Sequence, residues 1–185
     1  MTRHEKRRNY EATIKLKLRS VNQLFNSLDP SPFVEKDLDA DAEEFIVSWA
    51  QEFPLQAPLR LRVYLEQRPA EDPTELVREA VHNYFSYRRN LNEMEFKRLM
   101  KLGRFSLLIG LLFLGTCLGV TTTLLASAKG NWVEVLRESV TIGGWVAMWR
   151  PMEIYLYEWW PLRQMGQTYS KLTRMPIEVT YNGGG

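Results

Sequence analysis

The chain has 185 residues, 25% of them charged, with a formal net charge of +2. That length leaves room for one ordinary domain, or for a small domain plus membrane spans. The charge balance excludes a nucleic-acid binder built on a strong basic excess. A mean hydropathy of −0.31 reads as soluble, but the charge is unevenly spread: residues 103–128 hold one charge, Arg104, near their start. Six Trp is high for this length, and Trp145, Trp149, Trp159 and Trp160 sit close together, as membrane–water interfaces favour. The single cysteine, Cys117, lies in the apolar run, so no intrachain disulfide forms, which suits a cytoplasmic setting for the soluble part.

Residues 1–10 are polar and basic (Arg3, Lys6, Arg7, Arg8) with no apolar stretch behind them. No signal peptide is expected there, and the segment suits anionic lipid headgroups. Residues 11–19 then alternate, with Ala12, Ile14, Leu16 and Leu18 against Thr13, Lys15, Lys17 and Arg19, the period of a strand with one wet face. Val21, Leu24, Phe25 and Leu28 at helical spacing predict a short helix, stopped by Asp29-Pro30-Ser31-Pro32. An acidic run from Asp37 to Glu44 leads into a helix with Phe45, Ile46, Trp49 and Ala50 on one side. Asp37 or Asp39 caps it, and the carboxylates of its first turn suit the helix dipole. Leu59, Leu61, Val63 and Leu65 alternate in a second strand. After a polar connector, Asp72-Pro73 opens a helix whose apolar stripe is Leu76, Val77, Ala80, Val81, Tyr84 and Phe85. Neither Gly nor Pro interrupts it before Gly103, so it is expected to run directly into the apolar segment.

Residues 105–126 are uncharged and Leu-rich, and about 20 residues suffice to cross the hydrocarbon. Lys97, Arg98, Lys101 and Arg104 crowd the near end, against Lys129 alone at the far end before the next helix. The positive-inside rule therefore puts the N-terminal domain in the cytoplasm. Lys129-Gly130-Asn131 reads as a tight turn and Trp132 as an interfacial anchor. Residues 133–160 return with Glu134, Arg137, Glu138, Arg150, Glu153 and Glu158, and their cleanest stretch, residues 139–149, is too short to span alone. The favoured reading is a second span in which Arg150 and Glu153 pair in the inner half of the bilayer, with Pro151 as a kink. The other is a re-entrant or interfacial amphipathic segment. Trp159 and Trp160 would form the inner aromatic belt, and Arg163, Lys171 and Arg174 make the tail basic. The alternating piece from Pro176 to Tyr181 would return as a third strand, and residues 182–185 read as a flexible end.

Arg150 and Glu153 are the leading functional candidates, because an ionisable residue at membrane depth is costly. A structural ion pair fixing register, or snorkelling to the surface, is the bland alternative. Gly115-x-x-x-Gly119 with Gly143-Gly144 offers close helix packing, within the hairpin or between protomers. Asp37-x-Asp39-x-Asp41 resembles the start of a calcium loop, but Ala42 and Ser48 stand where glycine and glutamate are required, so helix capping is the better reading. No metal site, cofactor site or catalytic residue is expected. His4 and His82 are isolated, and no nucleophile–base set or phosphate-binding glycine loop is present. A proton or ion path would need more polar groups than Thr121, Thr122, Thr123 and Ser139, which lie near the outer end.

The stretch W-V-A-M-W-R-P-M-E-I-Y-L-Y-E-W-W-P from Trp145 to Pro161, with L-F-N-S-L-D-P-S-P-F from Leu24 to Phe33, resembles small uncharacterised bacterial two-span membrane proteins. The resemblance implies a bacterial inner-membrane protein and no particular activity.

The expected fold is therefore a small cytoplasmic α+β domain, two or three strands with covering helices, fused to a transmembrane α-helical hairpin. Its organisation reads as a basic segment (1–10), the domain ending in a long helix (11–102), the hairpin (103–160) and a cytoplasmic tail (161–185), with both termini cytoplasmic. The expected role is non-enzymatic: a membrane scaffold or accessory subunit that self-associates as a homo-oligomer or docks to another membrane protein, without nucleic acid. An oligomeric channel or transporter with Arg150 and Glu153 lining the path is the alternative.

Overall fold

The structure, a computed structural model, describes residues 12–67, 71–123 and 130–181. The basic N-terminal segment, the Lys129 turn position, the end of the apolar run beyond Thr123 and the glycine-rich end lie outside these residues. The chain forms two compact units, one from residues 1–92 with 164–185 and one from residues 93–163.

The first unit is built on a three-stranded, all-parallel sheet in the order β1 (Ala12–Leu18), β2 (Leu59–Leu65), β3 (Ile177–Tyr181). All three strands fall where the alternation predicts them. Ala12, Ile14 and Leu16 of β1, Leu59, Leu61, Val63 and Leu65 of β2 and Ile177 of β3 are buried on one face. That face is covered by α1 (Ala40–Glu52) through Ala42, Ile46 and Ala50, and by Val77, Ala80, Val81, Tyr84 and Phe85 at the start of α2 (Thr74–Thr123). Tyr169 and Leu172 near the end of α5 (Trp159–Leu172) complete the core. Parallel sheets usually have both faces covered, yet the other face here carries Lys15, Lys17, Arg60, Arg62 and Glu178. Arg62 donates to Glu178 across the strands at 2.8 Å and 3.0 Å, and Arg60 pairs with the same carboxylate. The hydrogen bonds from Arg62 and the charges of both arginines hold Glu178 below the usual carboxylate range.

Asp39 caps α1 by accepting from the Asp41 N–H at 3.1 Å, and Asp72 accepts from Thr74 at the start of α2. Three details differ from the sequence reading. The helix expected from Val21 to Leu28 is only a 3-10 turn, Val21–Leu24, because Phe25 turns extended and bridges to Leu38, burying Leu24 and Phe25. Phe45 and Trp49 of α1 and Leu76 of α2 flank the core and stay partly exposed, since a small sheet is covered by a narrow helical stripe. The units also meet between residues 92 and 93, ahead of the boundary expected at 103.

The second unit contains the rest of α2, then α3 (Asn131–Ala147), the short α4 (Trp149–Glu153), a π turn (Ile154–Glu158) and the beginning of α5. Replacing the fully buried Leu61 of the central strand by alanine should destabilise the first unit by about 2–5 kcal/mol, transfer and cavity costs together. Phe45→Ala, at the rim, should cost much less. Thermal unfolding of both variants in lipid discs, followed by hydrogen exchange of β2, checks this order.

Candidate functional site

Pro151 has no N–H, so the Ala147 carbonyl loses its normal helical donor and the ladder breaks. Met148 instead donates to Trp145 at 3.0 Å, and the helix resumes when Met152 donates to Met148 at 3.2 Å. Residues five apart on an α-helix lie about 140° from each other. A turn closed by i→i+5 bonds returns them to one face. The π turn therefore brings Glu158 round beneath Glu153, and Arg150 reaches both. Its guanidinium donates to Glu153 at 3.0 Å and to Glu158 at 3.2 Å, with a second, shorter bond to Glu158. The predicted Arg150–Glu153 pair is thus a triad whose third member, Glu158, was counted among the charges but not placed. A helical i,i+3 rule reveals the first pair, whereas the second depends on the π turn, which no α-helical spacing shows. The side chains remain 49%, 45% and 30% exposed for Arg150, Glu153 and Glu158.

Just beyond the triad, the Trp159 indole donates to the Tyr155 carbonyl at 2.8 Å and meets Trp160 edge to face at 5.4 Å. The Arg163 guanidinium lies 5.8 Å from the Trp159 ring centre. Trp160 is exposed, and Trp132, at the start of α3, is 86% exposed.

Of the four glycines predicted to pack, only Gly144 meets a neighbour among the described residues. A Cβ there would lie 2.9 Å from Leu114 Cδ1 and 3.2 Å from Cys117 Cβ. Among the described residues, Gly115, Gly119 and Gly143 have nothing within 4 Å. The close approaches use Gly103, against Ile154 and Tyr155, and Gly110, where a Cβ would come within 3.1 Å of the Ala147 carbonyl and 3.0 Å of Met148 Sδ. Gly103, Gly110 and Cys117 repeat every seven residues, a period favouring left-handed helix packing. That heptad of small residues was readable in the sequence and is masked by the more familiar four-residue glycine spacing.

The hydroxyls near the far end of the apolar run donate locally. Thr121 and Thr122 donate to Leu118, Thr123 to Gly119 and Ser139 to Val135, all within their own helices. In the first unit, His82 Nε2 contacts the Met175 carbonyl at 2.9 Å. Asp39 is a cap, and Asp37 donates its backbone N–H to Asp29, so the acidic run does not converge. Among the described residues no group of three metal-ligating side chains comes together.

A second polar cluster joins three helices of the first unit. Tyr84 donates to Glu43 at 2.5 Å, Arg88 pairs with Glu43 at 2.7 Å, and the Arg88 guanidinium donates to the Tyr169 hydroxyl at 3.3 Å. Burial, and the hydrogen bond to Glu43, push the Tyr84 hydroxyl well above the ordinary tyrosine range. No protein-family model, curated protein or solved structure matches the chain.

Overpacking at Gly110 by leucine should destabilise the second unit by about 1–3 kcal/mol, whereas Gly115→Leu, in open space, should leave it intact; thermal unfolding in lipid discs separates them. The raised Tyr84 hydroxyl contributes stability that is complete below the unfolded tyrosine value, about pH 10. That contribution is lost as pH rises toward the folded value. Tyr84→Phe should therefore flatten the alkaline limb of a stability–pH profile of the first unit, and an unchanged limb would exclude this role.

Proposed function

We propose that the chain is a non-enzymatic scaffold or accessory subunit of a bacterial inner membrane, crossing the bilayer as a helical hairpin with both ends in the cytoplasm. The observation that carries this reading is the exposure of the apolar part of α2. Its 18-residue apolar window has a mean hydropathy of 2.0 and is only 11% buried. A core helix of a soluble protein would be mostly covered; here Phe105, Leu108, Leu112 and Phe113 are half or more exposed. Water would penalise such a surface at roughly 25 cal/mol per Å², and lipid removes that penalty.

Three further features support two crossings. The parallel pairing of β2 with β3 returns the chain to the sheet it left, which is incompatible with a single crossing. The small-residue approaches run in opposite chain order, Cys117 to Gly144, Gly110 to Met148 and Gly103 to Ile154, as in an antiparallel helix pair. Lys97, Arg98, Lys101 and Arg104 before the apolar run, with Arg163, Lys171 and Arg174 after the return, suit one cytoplasmic side.

Assembly is favoured over conduction because the donors of Thr121, Thr122, Thr123 and Ser139 are turned to carbonyls of their own helices. A triad half-exposed on the surface of one chain is better matched by a neighbouring helix than by a lone position in lipid. The partner is a second copy of this chain or another membrane protein.

The mass of the complex extracted in native-like lipid discs should correspond to a closed homo-oligomer or to a stable complex with a further membrane protein. A lone monomer would exclude the assembly role. In a Cys117→Ser background, Ser27→Cys should react with a membrane-impermeant thiol reagent only from the cytoplasmic side, and Asn131→Cys only from the opposite side. Labelling of both from one side would overturn the hairpin.

A further inference from the structure

The second unit carries an open groove of about 1390 Å³ along α2, with Leu162 of α5 also in its lining. It exceeds the roughly 300–1,000 Å³ of ordinary small-molecule sites. Its lining changes character along the helix: Lys97, Arg98 and Lys101 come first, with Leu99 between them, and Leu102, Phe105 and Leu108 follow, with Arg104 among them. Leu102, Phe105 and Leu108 are 47–62% exposed, and Leu99 and Leu162 are half-buried. Lys97 pairs with Glu93 at 2.8 Å, and the Arg104 Nε donates to its own helix at Met100. Among the described residues, Arg98 and Lys101 have no carboxylate partner. Glu95, also in the lining, is the one opposing charge.

We propose that this groove is a binding site for one anionic phospholipid, whose phosphodiester headgroup lies on Arg98 and Lys101 and whose acyl chain follows Leu102, Phe105 and Leu108. The inference rests on the membrane reading and goes beyond it by assigning a specific ligand class and its contacts. The charge complement chooses the occupant. Cations outnumber the single carboxylate of the lining, so a zwitterionic headgroup would leave them unmatched, whereas a net negative one would not. Cationic and apolar residues follow each other along one helix in the order of headgroup and tail in an amphiphile, and basic pockets on the cytoplasmic side of transmembrane helices are suited to anionic headgroups. An acidic protein segment would match the cations but would leave Phe105 and Leu108 uncovered.

The full chain is purified into discs containing phosphatidylcholine with a minority of phosphatidylglycerol, and the lipid retained on the protein is read by native mass spectrometry. The expected result is retained phosphatidylglycerol well above its share of the disc. Arg98→Gln with Lys101→Gln should lower that retention roughly tenfold or more, while Lys15→Gln with Lys17→Gln, an equal change of charge on the sheet, should leave it unchanged. Retention in proportion to disc composition, or an equal loss in both double variants, would overturn the site. Release of the lipid by excess inorganic phosphate would overturn the acyl-chain part of it. A photoreactive phenylalanine at Phe105 should crosslink to lipid; crosslinks to a second copy or to another protein would assign the groove to assembly instead. Failure of the chain to enter discs would overturn the membrane reading itself, an outcome distinct from entry without lipid selectivity.

Discussion

The parallel pairing of β3 with β2 is the constraint on which the rest of the molecule depends. Parallel neighbours need a crossover, and here the crossover from Leu65 to Ile177 contains the whole second unit. The entropic cost of so long a closure rises only slowly, by about 0.6 kcal/mol per doubling of length, so a seven-residue and a five-residue strand with a well-packed face are sufficient to hold it. The register is fixed twice over. Ile177 is buried among Leu61, Leu172 and Met175, and Glu178 on the opposite face meets Arg60 and Arg62. A slip of one residue would exchange these faces, burying Glu178 and exposing Ile177.

The second unit is held by different physics. Its helices pack through small residues because, in the proposed lipid setting, apolar side chains gain nothing by leaving lipid for one another, and close backbone approach with its dispersion contacts must supply the attraction. Gly110 shows why glycine is needed at one such position: it faces the Ala147 carbonyl, the very group deprived of its donor by Pro151. A side chain at residue 110 would press on that carbonyl. The break and the glycine therefore form one feature, and the π turn that follows restores the helix on a new phase, aligning Glu153 with Glu158.

Elements of the first unit were legible because their signals are local. Alternation in Lys15–Leu16–Lys17–Leu18 and in Arg60–Leu61–Arg62–Val63 reports a half-wet strand regardless of its neighbours, and Asp39 and Asp72 sit at the caps that their side chains favour. The order and direction of the strands were not legible, since alternation is the same in parallel and antiparallel pairs. The short helix at Val21–Leu28 failed because Phe25 is drawn into the core by Leu38, a contact outside any local window. At the candidate site the i,i+3 spacing indicates the Arg150–Glu153 pair, but the contact with Glu158 depends on a π turn, and the packing glycines were hidden by a commoner motif.

The charge balance of the triad bears on how the return segment would meet a bilayer in the proposed setting. Residues 139–149 would cover about 16 Å as a helix, against a hydrocarbon thickness of about 30 Å. If the segment spans, Arg150 must therefore enter the inner half. One guanidinium facing two carboxylates leaves an excess negative charge, and a bilayer tolerates it only near water or beside a compensating group. The neighbouring residues favour the wet boundary: Trp159 and Trp160 meet edge to face, Arg163 lies over Trp159, and such amphipathic rings prefer the headgroup level. Arg150 can then lie deepest, with Glu158 toward the surface and the π turn keeping all three on one side of the helix. The apolar length this leaves is still short, which favours neighbouring helices around the return segment over lipid alone. In the proposed membrane setting, the same shortage makes a solitary hairpin a less favourable end state than an assembly.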